Sequence, residues 1–256
     1  MKNRRDFLQI LSTGAAAVIG GISLDGYADQ PSPSMKKLRV KKVAVKADAP
    51  WDEVHKALDT ASQWNAIDIV NWSDYAYRPK VEFRMVYCDS ALLLQYKVKE
   101  QAVRAVAAVD NGEVWKDSCV EVFIKPDNDD LYYNFEFNCI GLCLLSVGTA
   151  RAGREMATME VLSKIRRKTS LDRLPFSERR EETEWGLSAV IPFACFFKHP
   201  DYSPDGKTAY ANFYKCGDDL TVPHFLSWNP IKADKPDFHR PECFGTVEFM
   251  RLVGSD

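Results

Sequence analysis

Four polar side chains on two adjacent segments of the chain could together bind a polar ligand. Asp117 and Glu121 lie on the first segment, and Glu136 and Asn138 lie on the second. Within each segment the pair is separated by an even number of positions, so a β-strand would place both on the same face. Carboxylates accept hydrogen bonds, and an amide both donates and accepts them. The alternative is an ordinary solvated sheet face, because antiparallel sheets commonly expose one side to water.

The two segments have the composition of a β-hairpin. Residues 114–125 and 131–140 are rich in β-branched and aromatic side chains, and the Pro-Asp-Asn-Asp-Asp stretch at 126–130 favours a turn between them. Alternation with period two gives each strand a second, apolar face. The side chains predicted to enter the core from that face are Val120, Val122, Phe135 and Phe137.

Similar alternating segments continue along the chain, with turn residues between them. The further predicted strands include residues 81–89, 92–100, 142–147, 162–169, 181–191, 207–216 and 245–252, and a short helix is predicted over residues 51–58. This pattern predicts an all-β fold, namely an antiparallel, jelly-roll-like β-sandwich with a few short helices. The sandwich is expected to span residues 43–252, with residues 29–42 as a linker and the start of the fold.

The first 28 residues are predicted to be an export signal of the twin-arginine type. Arg4 and Arg5 precede a variable residue, Phe and Leu, and a mildly apolar run covers residues 10–24. Small residues at 26–28 suit cleavage after Ala28. The alternative is an amphipathic N-terminus without a targeting role. Export would place the mature protein in the periplasm or outside the cell.

Charge and cysteine content restrict the partners. The formal net charge is −2, which argues against nucleic acid because its binding needs a basic surface. The mature part contains no apolar run of the roughly 18 residues that a membrane-spanning helix needs. The seven cysteines include no CxxC pair, which argues against a structural zinc site. Most of them lie among apolar residues and are predicted to be small buried side chains.

The hairpin and the C-terminal region resemble carbohydrate-binding modules similar to family 9. The resemblance rests on residues 115–121 (WKDSCVE), on residues 132–138 (YYNFEFN) with Gly141, and on Trp228 and residues 236–245 (PDFHRPECFG). It covers the chain from about residue 43 to residue 249 and implies a β-sandwich that binds sugars in extracytoplasmic carbohydrate degradation. Because such modules usually accompany a catalytic domain, a separate glycoside hydrolase is the expected protein partner, beside the carbohydrate ligand.

A sugar site needs a flat apolar surface for the ring and hydrogen-bonding groups for the hydroxyls. The candidate ligand-binding residues are Trp72, Arg78, Trp115, Asp117, Glu121, Glu136, Asn138, Asn212, Trp228 and His239. Each has a structural alternative: a tryptophan can belong to the core, an acid can pair with a neighbouring Lys or Arg, and the histidine can fix its loop. No residue is assigned a catalytic role.

Other functions remain open at this point. A glycoside hydrolase that cleaves O-glycosyl bonds would need two carboxylates, which Glu121 and Glu136 could supply. A haem-binding sandwich would need a Met/His or His/His ligand pair, and no methionine is suggestively spaced from His239. No cofactor is expected for sugar binding, and calcium is the alternative considered, because Asp127 and Asp129 place oxygen ligands in one turn. A plain acidic turn is the alternative there.

Overall fold

A computed structural model describes residues 35–252. The predicted export signal, residues 1–28, and the first part of the predicted linker lie outside the described residues. Within the described range, none of the helices is both long enough and apolar enough to cross a membrane.

The described part of the chain consists mainly of β-strands. The strands are β1 (Lys37–Lys41), β2 (Asn65–Ala66), β3 (Ile69–Val70), β4 (Lys80–Tyr87), β5 (Ala91–Glu100), β6 (Val103–Ala105), β7 (Cys119–Lys125), β8 (Tyr132–Asn138), β9 (Cys143–Gly148), β10 (Glu155–Met156), β11 (Arg166–Thr169), β12 (Phe176–Arg179), β13 (Thr183–Pro192), β14 (Thr208–Cys216), β15 (Phe225–Ser227) and β16 (Gly245–Met250). The helices are α1 (Trp51–Ala61) and α2 (Met159–Ser163), and short 3-10 turns cover Ser73–Tyr75, Val114–Lys116, Phe193–Cys195 and Pro241–Cys243.

Two large sheets pack against each other. The first has the strand order β1-β16-β14-β7-β8-β9-β10, and β15 joins it beside β14 and pairs in turn with β3. The second has the order β11-β13-β5-β4-β2, and β12 pairs with β6 separately. The pairing of β1 with β16 is parallel, and the other strand pairs of residues 35–252 are antiparallel. The predicted antiparallel sandwich is confirmed.

Apolar side chains from both sheets fill the space between them. Phe83 of β4 stacks on Phe213 of β14 with ring centroids 3.7 Å apart, and the Trp228 indole meets the Phe213 ring edge-on. Burial of a large apolar side chain stabilises the fold by about 1.5–3 kcal/mol, so this layer anchors the strands that carry it. The hairpin side chains predicted for the core, Val120, Val122, Phe135 and Phe137, are all buried in it.

The register of the predicted hairpin determines which side chains meet on its other face. Glu121 of β7 is opposite Glu136 of β8, and Val120 is opposite Phe137. Since side chains alternate along a strand, the whole apolar set enters the core, and the polar set lies on the outer face of the larger sheet. The two-faced hairpin predicted from the sequence is confirmed.

The start of the hairpin differs from the prediction. Residues 114–116 form a 3-10 turn, and the strand begins only at Cys119. Asp117 holds the intervening chain in place, because its carboxylate accepts hydrogen bonds from the backbone N–H groups of Val106 and Ala107. A segment tied to a neighbouring loop in this way cannot also pair as a strand, although its side chains favour one.

A second difference lies at residues 162–169, which were predicted as one strand. Residues 159–163 form helix α2, and the strand begins at Arg166. The Thr158 hydroxyl caps the helix by accepting a hydrogen bond from the Val161 backbone N–H, which satisfies one of the free donors at a helix N-terminus. Leu162 is then buried from the helix rather than from a strand.

Candidate functional site

A cavity of about 350 Å³ opens on the outer face of the larger sheet. Its floor consists of outward-facing side chains of β7, β8 and β9, namely Glu121, Phe123, Asn134, Glu136, Leu144 and Ser146. Its walls come from the 3-10 turn at residue 115, the loop at 151–156 and the loops at 218–225 and 236–239. The flat sheet therefore supplies the polar floor, and the connecting loops enclose it.

Two carboxyl groups lie side by side on the floor. Glu121 and Glu136 are cross-strand neighbours and are only 2% and 5% exposed. Asn134 Nδ2 donates to Glu136 Oε1 over 2.7 Å, and the Cys216 thiol donates to Glu121 Oε1 over 3.1 Å. The second oxygen of each carboxyl, Oε2, is buried and has no hydrogen-bond partner among the described residues. These two atoms are the unsatisfied polar groups of the cavity floor.

Burial and mutual repulsion favour the neutral forms of these acids. The pKa of Glu121 is raised well above its usual value, first by burial and then by the charge of Glu136. The pKa of Glu136 is also raised by burial, although the hydrogen bond from Asn134 and the charge of Arg154 oppose the shift. Burial raises the pKa of Asp218 to about 6. Near neutral pH the floor can therefore donate as well as accept protons in hydrogen bonds.

Arg154 connects the wall of the cavity to its floor. Its Nε donates to Ser146 Oγ over 2.8 Å, and its Nη2 donates to Asn134 Oδ1 over 2.9 Å. The guanidinium also lies over the Tyr132 ring at 4.2 Å from the centroid. An arginine that donates to several fixed acceptors in this way is rigid, so it fixes the loop that borders the cavity and brings a positive charge to the floor.

Aromatic side chains also line the cavity. Trp115 and Phe225 are half-buried and line the cavity, and Phe238 is buried beside them, stacked on Tyr214 with centroids 4.1 Å apart. His239 Nδ1 shares a 2.9 Å hydrogen bond with the Tyr132 hydroxyl. Burial, together with the charges of nearby arginines, lowers the pKa of His239 to about 3, so the imidazole is neutral and can offer its second nitrogen to a ligand.

Four of the predicted ligand-binding residues lie together at this cavity. They are Trp115, Glu121, Glu136 and His239. They come from a 3-10 turn, two strands and a distant loop, and the fold brings them to one opening.

Two predicted polar contacts are instead joined to each other away from the opening. Asp117 is 1% exposed and pairs with Arg104 Nη1 at 3.0 Å. Asn138 Nδ2 donates to Asp117 Oδ2 over 3.0 Å, and its Oδ1 accepts from the Leu142 backbone N–H. Each polar atom is used to hold chain segments together, which is the structural alternative for these residues.

The remaining predicted residues lie elsewhere. Trp228 packs in the core between the sheets, and Trp72 is 6% exposed with its Nε1 donating to the Ala233 carbonyl. Asn212 Nδ2 donates to the Asn229 carbonyl in a fully buried position. Arg78 is exposed and pairs with Asp68 at 2.8 Å. None of these four residues lines the cavity.

The acidic turn considered for calcium is engaged in local contacts. Asp127 Oδ1 accepts from the Asn128 backbone N–H, and Asp129 Oδ1 accepts from the Leu131 backbone N–H. The other oxygen of Asp129 lies 2.9 Å from His199 Nε2. These are the contacts of an acidic turn stabilised by its own side chains.

Sequence reasoning missed several residues at the cavity. Asn134 shares the polar face of β8 with Glu136, so its period-two spacing could have identified it. Arg151, Asp218 and Asp237 lie in loops and Phe225 begins β15; these residues are far apart in sequence, and no local pattern connects them. Cys216 was interpreted with the other cysteines as a core side chain, yet it lines the cavity.

Solved structures resemble this chain in fold. A protein from Bacteroides uniformis ATCC 8492, to which carbohydrate binding has been ascribed, is 47% identical to it, with a TM-score of 0.81 over 84% of this chain and 100% of that chain. A carbohydrate binding module family 9 from Caldicellulosiruptor kristjanssonii in complex with cellotriose is 13% identical, with a TM-score of 0.53 over 85% of this chain and 95% of that one. Its complex with glucose has the same identity and TM-score, over 86% and 99%.

Two sequence comparisons complete the assignment. None of the curated proteins matches the chain. The family described as Carbohydrate-binding family 9 matches residues 52–249, which include both strands of the hairpin and the aromatic loop at residues 236–239. Since the match spans well over half of the chain, this protein belongs to carbohydrate-binding family 9.

Proposed function

We propose that the protein binds a sugar in the cavity on the outer face of the larger sheet. The observation that carries this proposal is the pair of buried carboxyl oxygens, Glu121 Oε2 and Glu136 Oε2, which have no hydrogen-bond partner within residues 35–252. A buried polar atom without a partner costs free energy, and a sugar hydroxyl placed on the floor would remove that cost.

The walls suit the remaining surface of a sugar. A pyranose has an apolar C–H face, and Trp115 and Phe225 offer half-buried aromatic surfaces at the opening. Arg154 and His239 add polar groups at the border of the floor. The volume is at the lower end of the range of small-molecule sites, about 300–1,000 Å³, which favours one or a few sugar rings over a long chain segment.

The known complexes support the same class of ligand. The family 9 module from Caldicellulosiruptor kristjanssonii was solved with cellotriose and with glucose. That module is 13% identical to this chain and shares its fold.

A glycan array on the mature protein, followed by calorimetry on the sugars that bind, tests the proposal. Trp115→Ala and Glu136→Gln are expected to weaken binding at least about tenfold, since each removes roughly 1.4 kcal/mol or more of contact. Trp64→Ala is the matched control, because Trp64 is also a half-buried tryptophan but contacts Arg84 and Lys97 on the other sheet. The proposal would be contradicted if no glycan bound, or if Trp64→Ala and Trp115→Ala weakened sugar binding equally.

A second candidate function is hydrolysis of O-glycosyl bonds by Glu121 and Glu136. The specific observation in its favour is that the two acids are cross-strand neighbours with raised pKa values, and a glycosidase needs one carboxyl protonated as the acid. Release of reducing sugar from bound glycans, lost in Glu121→Gln and Glu136→Gln, would favour hydrolysis. Binding without turnover would exclude it.

We also propose that the protein is exported and acts beside a separate glycoside hydrolase in carbohydrate degradation. The support for export is the paired Arg4 and Arg5 before an apolar run. Cell fractionation of the full chain, with Arg4→Lys/Arg5→Lys as the variant, tests it. Retention of the variant in the cytosol is expected, and unchanged distribution of the two proteins would contradict export by the twin-arginine route.

A further inference from the structure

Two thiols and a carboxylate meet at one end of the cavity floor. Cys119 of β7 is directly opposite Cys216 of β14, and Glu121 lies on the same face of β7 as Cys119. Cys119 Sγ, Cys216 Sγ and one Glu121 carboxylate oxygen all lie within 4.8 Å of one another. Because zinc–thiolate and zinc–carboxylate bonds measure about 2.3 Å and 2.0–2.2 Å, small side-chain rotations would let all three atoms reach one ion.

The polar atoms of this cluster are only partly used by the protein. Both thiols point at the same atom, Glu121 Oε1, at 3.1 Å from Cys216 and 3.9 Å from Cys119. Glu121 Oε2 has no partner, although the side chain is 2% exposed. The cluster thus combines a buried, unsatisfied carboxyl oxygen with two soft sulfur donors, and it borders the cavity through Cys216 and Glu121.

We propose that Cys119, Cys216 and Glu121 form a binding site for a thiophilic divalent cation such as Zn²⁺. Three protein ligands leave one position of a tetrahedral zinc site for a molecule from the cavity. Glu121 would then be shared between the cation and the proposed sugar site, while Glu136 Oε2 remains available to a sugar. The cation site itself needs no sugar. Among the described residues, this is the one cluster of three or more His, Cys, Asp and Glu side chains with its ligand atoms this close together.

Binding exchanges protons for the cation. Burial raises the pKa of the Cys119 thiol to about 12 and that of the Cys216 thiol well above its usual value, so both thiols carry a proton before the cation enters. Zn²⁺ forms two bonds to sulfur, the two S–H bonds break, and two protons pass to solvent. A third proton leaves if Glu121 is protonated. No electron is transferred, and no co-reactant is needed.

Co²⁺ serves as a spectroscopic probe of the site, and Zn²⁺ serves as its competitor. Both are added to the mature protein without sugar, in a buffer that contains a non-coordinating reductant. A thiolate-to-cobalt charge-transfer absorption that saturates at one ion per chain and disappears on adding Zn²⁺ is expected. Cys119→Ser and Cys216→Ser are expected to lower the Co²⁺ affinity by more than the roughly 10–100-fold that loss of an outer-shell partner costs. Cys195→Ser is the matched control, since that cysteine is also buried but lies against the Val161 carbonyl.

Two further measurements extend the test, and the second needs no variant. Glu121→Gln retains both thiols, so it should keep the charge-transfer absorption but bind Co²⁺ more weakly, and proton release measured on adding Zn²⁺ to the unmodified protein should be at least two per ion. Absence of the absorption in the folded protein, or an unchanged Co²⁺ affinity in Cys119→Ser, would overturn the proposal. Since these readouts use no sugar, a negative glycan array would not affect them.

Discussion

Asp117 and Glu121 belong to the same segment, but their surroundings give them different chemistry. Asp117 has a cationic partner in Arg104 and accepts two backbone hydrogen bonds, so its charge is neutralised inside the protein. Glu121 has no cationic partner and faces a second acid, Glu136. Residue type alone does not distinguish a structural carboxylate from one available to a ligand, because the difference lies in the partners that the fold provides.

Replacement of Asp117 is therefore expected to affect stability. Asp117→Ala breaks a buried ion pair and leaves the backbone N–H groups of Val106 and Ala107 without their acceptor. Arg104 keeps the Lys116 carbonyl and a 3.8 Å pair with Asp219, so the expected cost is about 3 kcal/mol, at the lower end for a broken buried pair. Urea unfolding of the variant and the unmodified protein measures it. Asp130→Ala is the control, because that carboxylate is 92% exposed in its pair with Lys125 and should change stability by less than about 0.5 kcal/mol. Equal effects of the two substitutions would contradict the structural role.

The raised pKa of Glu121 predicts a pH dependence with a definite sign. The folded state binds the proton more tightly than the unfolded state, so the contribution of Glu121 to stability is present below its ordinary pKa of 4.5 and is lost as the pH rises above it. The glutamine of Glu121→Gln cannot ionise. As the pH rises, the free energy of unfolding of the variant should therefore increase relative to that of the unmodified protein, by about 1.4 kcal/mol in total for each unit by which folding raises the pKa of Glu121.

Urea unfolding at several pH values from about 5 to about 8 would measure this difference. Groups that do not interact with Glu121 cancel when the variant is compared with the unmodified protein at each pH, so the difference reports the joint titration of Glu121 and its neighbour Glu136. Glu184→Gln serves as the control, since Glu184 is 74% exposed. A constant difference for Glu121→Gln would show that folding does not raise its pKa.

At the scale of elements, the register of β7 with β8 and β14 produces the cavity floor. The pairings of Glu121 with Glu136 and of Cys119 with Cys216 are rows of the same sheet. A shift by one residue would exchange the apolar and polar faces of β7, so the core side chains that fix the register also position the site. The walls follow from loops that begin where these strands end.

Close packing at the first residue of β16 gives an element-scale prediction. A Cβ atom at Gly245 would lie 2.5 Å from Trp228 Cζ3 and 2.7 Å from the Lys36 carbonyl oxygen. Gly245→Ala should therefore displace the indole or β1 and cost about 1–3 kcal/mol. The fall in the midpoint of urea unfolding measures this cost. Gly186→Ala is the control, because the nearest neighbour of a Cβ atom at Gly186 would be the Tyr96 carbonyl oxygen, at 3.4 Å. A neutral Gly245→Ala would mean that the indole has room to move.

At the scale of the whole molecule, a buried polar network joins the two sheets. Lys215 Nζ of β14 lies 2.9 Å from Glu100 Oε2 of β5 and 2.7 Å from His224 Nε2, and the Trp185 indole of β13 donates to Glu100 Oε1. The side chains of Glu100, Lys215 and His224 are fully buried. The opposite charges of Glu100 and Lys215 satisfy each other only while both sheets are in place, so the network couples the sheets into one unit.

A double-mutant cycle tests this coupling. Lys215→Met leaves Glu100 buried without its cation and should cost about 3–5 kcal/mol, whereas Glu100→Gln/Lys215→Met removes both charges and should recover most of that loss. Urea unfolding of the two single variants and the double variant gives the interaction energy. Additive losses would mean that Lys215 and Glu100 stabilise the protein independently.

The sequence by itself determined most of the strands, their two faces and the family, since each of these follows from patterns within a few neighbouring residues. Val120, Val122, Phe135 and Phe137 must share the core, so Glu121 and Glu136 were predictable on one outer face, and the observed register then places them opposite each other. The beginning of β7 was predicted too early, because the contacts that keep residues 117–118 out of the strand come from Val106 and Ala107.

Only the tertiary structure decided which polar and aromatic side chains share an opening. Trp72 and Trp228 lie beside polar loop residues, as binding tryptophans would, but packing against distant segments buries them. Phe225 and Asp218 reach the cavity because β14 pairs with β7, and the same pairing brings Cys216 to Cys119. Pairing between strands far apart in the chain depends on the packing of the entire core, so no local pattern of residues could predict these neighbours.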